Sequence, residues 1–76
     1  MKEIEELGGC FFTEQEILTI TELTELSPAE RRAMTRGALK SEAELRKYIL
    51  DLARSGSSPA QTMAVKLLEK FRRENY

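Results

Sequence analysis

The chain has 76 residues, 41% of them hydrophobic and 33% charged, with a net charge of −1. That is one small soluble domain's worth of chain, with enough apolar content to fold. One cysteine (Cys10) and no histidine exclude an internal disulfide and a zinc site of the usual ligand set.

The charge is unevenly spread. Residues 1–26 carry one lysine against seven glutamates, a net of −6, whereas residues 27–76 carry eleven basic against six acidic residues, a net of +5. Such asymmetry marks either a nucleic-acid face or a contact between oppositely charged neighbours. No apolar run has the length of a signal peptide or a membrane span, which with the single cysteine points to a cytoplasmic protein and no membrane partner.

In chain order, residues 1–12 read as an N-terminal segment with a short helix stopped by Gly8 and Gly9. Residues 13–76 read as a single helical domain. Cys10 is expected to be a small, at least half-buried hydrophobe, because a thiol nucleophile would need a base and there is no histidine. Thr13, three residues before Glu16, forms a capping box, with Phe12 placed to staple onto Ile17. The helix behind it draws on Ile17, Leu18, Ile20 and Leu23. Three threonines lower its propensity, so burial must hold it.

Ser27 and Glu30 form a second box, with Pro28 in the first helical position. The helix that follows is weakly apolar and strongly basic, and Gly37 is expected to end or loosen it. Ser41 and Glu44 read as a third box, opening a helix to about Arg54 with Leu45, Ile49, Leu52 and Ala53 on one stripe. Residues 55–61, Ser-Gly-Ser-Ser-Pro-Ala-Gln, then form a joint. Gly56 ends one helix in the left-handed conformation, Ser58 caps the next, Pro59 takes its first position and Gln61 closes a fourth box. The last helix runs to roughly Arg73, with Ala60, Ala64, Leu67, Leu68 and Phe71 on its apolar stripe.

The fold class implied is all-α, a small bundle of three to four helices with a C-terminal antiparallel helical hairpin over 41–73. Its expected core is Phe12, Ile17, Ile20, Leu45, Ile49, Leu52, Ala64, Leu67, Leu68 and Phe71. A DNA-reading helix-turn-helix is the alternative for residues 45–71. Only Gln61 and Thr62 near the start of the second helix could read a base edge, which favours the hairpin.

No phosphate loop, nucleophile elbow, metal-ligand cluster or dinucleotide fingerprint is present, so neither an enzyme nor a cofactor is expected. Arg31, Arg32, Arg36, Lys40, Arg46 and Lys47 are the candidate phosphate contacts, since arginine forks match phosphate geometry. The competing reading is a solvated face that pairs with the acidic first part of the chain.

The segment from Leu45 to Phe71 resembles part of bacteriophage small terminase subunits, in which a helix ends in an Ala-x-x-Gly turn and the next carries Ala-x-x-x-x-Leu-Leu. The residues that carry the resemblance are Ala53, Gly56, Ala60, Ala64, Leu67 and Leu68, and the run from Phe12 to Ile17 is similar to an opening helix of such proteins. The resemblance implies a cytoplasmic DNA-recognition factor that forms rings and hands viral DNA to a packaging motor. Candidate partners are therefore double-stranded DNA and further copies of the chain. A helical module that self-associates or binds another protein is the alternative function.

Overall fold

A computed structural model describes residues 2–75 of the chain. The fold is all-α: α1 (Lys2–Gly9), α2 (Glu14–Thr21), α3 (Pro28–Arg54) and α4 (Ser58–Asn75), with no strand among the described residues. The helices gather into two compact units, one ending at Ala43 and the other beginning at Glu44. Helix α3 supplies its residues 28–43 to the first and 44–54 to the second.

The first two capping boxes form as the sequence predicts. The Thr13 backbone N–H donates to Glu16 at 2.9 Å and the Glu16 N–H donates back to the Thr13 hydroxyl at 3.2 Å. Ser27 and Glu30 repeat the pattern, the Ser27 N–H donating to Glu30 at 2.8 Å and the Glu30 N–H to the Ser27 hydroxyl at 3.2 Å; hydrogen bonding of the Glu30 carboxylate by the Ser27 backbone, and then by its hydroxyl, holds the Glu30 pKa below its ordinary value.

Two boundaries differ from expectation. Helix α2 stops at Thr21, before Leu23 and Glu25, because Glu22 turns left-handed (φ +60°) and the Leu23 N–H folds back onto the Leu18 carbonyl. Helix α1 runs through Gly8 and ends at Gly9, one residue past the first expected stop, and the turn behind it has Phe11 left-handed (φ +63°), its N–H on the Gly8 carbonyl and the Phe12 N–H on the Leu7 carbonyl.

The larger correction concerns residues 37–44. Gly37 neither ends nor breaks a helix, and Ser41 caps nothing: α3 is continuous over 27 residues. The reason is tertiary. A Cβ on Gly37 would strike the backbone of Glu5 and Gly9, and one on Gly8 would strike the backbone of Met34. The glycines lie where α1 crosses α3 backbone to backbone, and that packing outweighs the roughly 1 kcal/mol that glycine costs inside a helix.

The core of the first unit is Ile4, Ile17, Leu26 and Ala33, with Leu7, Leu18 and Met34 packed against it. Of the expected core, Ile17 and Ile49 are buried, and Leu52, Ala64 and Leu67 are half-buried. Phe12, Ile20, Leu45, Leu68 and Phe71 are exposed. Leu45, Leu68 and Phe71 lie in a unit of two helix segments, which leaves too little surface to cover them. Cys10 is likewise exposed rather than tucked inward.

The second unit is the antiparallel helical hairpin. Its joint is a Schellman turn: the Ser57 N–H bonds the Leu52 carbonyl at 3.0 Å, the Gly56 N–H bonds the Ala53 carbonyl at 3.1 Å, and Gly56 sits at φ +103°. The cap of α4 lies one residue earlier than expected. Ser57, not Ser58, accepts from the Ala60 N–H (3.4 Å), so Pro59 occupies the second helical position. Gln61 closes no box; its amide donates across the joint to the Ala53 carbonyl at 3.1 Å. The turn explains the shift, since the residue that completes the Schellman pair also begins the next helix.

Candidate nucleic-acid interface

Four of the six basic candidates stand together on α3. Arg31, Arg32, Arg36 and Lys40 line one open depression of about 640 Å³, with Thr35, Leu39 and Ala43 as its floor. Their spacing of one, four and four residues keeps them on one side of the helix. At 1.5 Å per residue the stripe is roughly 13 Å long, enough to meet several phosphates of one strand. All four are exposed.

The stripe is partly neutralised from within the first unit. Arg31 Nε meets Glu14 Oε1 at 2.9 Å. Arg36 Nε and Lys40 Nζ share Glu5 Oε1 at 2.8 and 3.2 Å. The Arg36 hydrogen bond, followed by that of Lys40, holds the Glu5 carboxyl below its ordinary pKa. Arg32 forms no ion pair among the described residues. The expected pairing of this face with the acidic first part of the chain is therefore present beside the exposed stripe. Such surface pairs are worth about 0–1 kcal/mol each, so a phosphate can displace them.

The other two candidates do not line this depression. Lys47 is exposed and Arg46 half-buried on the part of α3 that belongs to the second unit. Arg46 there lines a small cleft with Leu67, Lys70, Phe71 and Glu74. Leu39, exposed at the centre of the stripe, is the lining residue that charge-based reading passes over. Its signal in the sequence is its place between Arg36 and Lys40 in residues 28–43 of α3, where the only other large apolar residue is Met34.

Among the described residues, no three acidic or cysteine side chains gather in a way that could hold a metal ion. Among the same residues, no helix is long and apolar enough to cross a membrane. No protein-family model, no curated protein and no solved structure matches the chain.

Proposed function

We propose that the chain is a non-enzymatic DNA-binding protein of the phage DNA-packaging kind, which contacts the phosphate backbone through α3. The observation that supports this reading is the exposed stripe of Arg31, Arg32, Arg36 and Lys40 around one depression. Contacts of this type position a protein on a duplex without reading its sequence. A labelled duplex titrated at 50 and 200 mM salt tests it by fluorescence anisotropy. Three or four neutralised phosphates would weaken binding on the order of 100-fold over that range. Absence of a shift at micromolar protein in low salt would end the reading.

A second reading has its own support. Three of the four stripe cations already hold acidic partners, and large apolar side chains stand exposed on both units. Both features suit a helical interaction module that self-associates or binds a protein partner in the cytoplasm. The two readings are compatible in one molecule, since their surfaces are different.

A further inference from the structure

The four cations of the depression are not equivalent around α3. A helix turns about 100° per residue, so Arg32 and Leu39, two turns apart, stand within about 20° of one another. They form the midline of the exposed side of residues 31–43, with Thr35 and Ala43 beside them. Arg31 lies toward one edge, where it meets Glu14 of α2. Arg36 and Lys40 lie toward the other edge, where they meet Glu5 of α1. The midline cation, Arg32, is in none of these pairs. Leu39 is 59% exposed, and the lining of the depression is largely apolar in spite of its four cations. The buried Gly37, where α1 crosses, is about 160° around the helix from Leu39, so the midline faces away from that crossing.

We infer that this side of α3 enters the major groove of duplex DNA, with Arg32 on a guanine edge, Thr35 and Leu39 against thymine methyl groups, and the edge cations on the phosphates of the two strands. The inference rests on the phosphate-binding reading and adds base recognition to it. Phosphates alone would engage Arg31, Arg36 and Lys40 but leave the apolar strip between them uncovered. The major groove, about 12 Å wide, admits a helix and offers what both midline side chains need. Guanine presents O6 and N7, a pair that an arginine fork fits, and thymine presents a methyl group. The minor groove, about 6 Å wide, is too narrow for a helix and shows no methyl group. Seven residues at about 1.5 Å each separate Arg32 from Leu39 by about 10 Å, or roughly three base pairs at about 3.4 Å.

The test uses the full chain and a duplex in which guanine and thymine alternate every third base pair, read by fluorescence anisotropy in low salt. Three further duplexes carry one base analogue each. With 7-deazaguanine for guanine, N7 is lost from the major groove. With uracil for thymine, only the methyl group is lost. With inosine for guanine, only the minor-groove amino group is lost. The first should weaken binding about fivefold and the second about threefold, and inosine should leave it unchanged. Arg32→Ala should abolish the response to 7-deazaguanine, and Leu39→Ala the response to uracil. Both side chains are exposed, so neither substitution removes core packing. Equal affinity for all four duplexes overturns the inference and leaves the phosphate-binding reading standing. A loss with inosine alone, or analogue responses that persist in the two variants, likewise overturns it. Absence of binding to every duplex at micromolar protein overturns both.

Discussion

Glu5 holds one carboxylate oxygen against Arg36 and Lys40, and Glu14 does the same to Arg31. Each acid occupies the place a phosphate oxygen would take. If α3 binds DNA, these carboxylates are competitors built into the fold. Glu5→Gln and Glu14→Gln should then each tighten duplex binding, by up to about fivefold, since exposed pairs of this kind are weak. Unchanged affinity in both variants would mean the stripe is not where DNA lies. The same contact has a pH signature. The Glu5 pKa is lowered in the folded state, so its stabilising effect is complete above the ordinary carboxylate value of 4.5 and is lost as pH falls through the lowered one. Thermal midpoints should hold steady from neutral to about pH 5 and drop below about pH 4, and Glu5→Gln should make that drop shallower. Glu22 raises a separate point. It adopts the left-handed conformation without being glycine, which strains the backbone. Glu22→Gly should raise stability by up to about 1 kcal/mol in urea unfolding, since the strain relieved exceeds the added chain entropy. A loss of stability would mean the Glu22 side chain contributes more than its backbone costs.

At the scale of elements, the crossing of α1 on α3 carries the first unit. Gly37→Ala would gain helix propensity yet set a methyl group against the Glu5 backbone. The clash should dominate, with a net loss of about 1–3 kcal/mol and a larger loss for Gly37→Leu. A Gly37→Ala protein as stable as the parent in urea would show that α1 can shift at little cost. This crossing also marks where sequence reading stops. The boxes at Thr13 and Ser27 and the turn at Gly56 were legible because each is closed by residues within a few positions of one another. Gly37 and Ser41 carry the same local signature as a helix end and start, but their fate is set by α1, some thirty residues away. The cores of the two units differ for the same reason. Ile4 and Leu26 are buried although they lie on a short helix and a loop that show no long periodic stripe, whereas Leu68 and Phe71 sit on a strong stripe that two helix segments do not cover. The basic stripe was legible as composition. Its pairing with Glu5 and Glu14 depends on long-range packing.

Across the whole molecule, charge divides along the two units. The residues up to 43 carry a net of −4 and those from 44 a net of +3. This gives the modes of association opposite responses to salt. Binding of α3 to phosphates releases counterions and weakens as salt rises. A contact between the acidic unit of one copy and the basic unit of the next would weaken too, because added ions screen its attraction. A contact between like units of two copies would instead bring like charge together around exposed apolar side chains. Raising sodium chloride from 50 to 500 mM shortens the screening length from roughly 14 to 4 Å, which removes that repulsion and leaves apolar burial intact. Self-association measured by light scattering should therefore strengthen with salt while duplex affinity falls. Association that weakens with salt in parallel with DNA binding would point to acid–base contacts between the units of neighbouring copies instead of apolar contacts between like units.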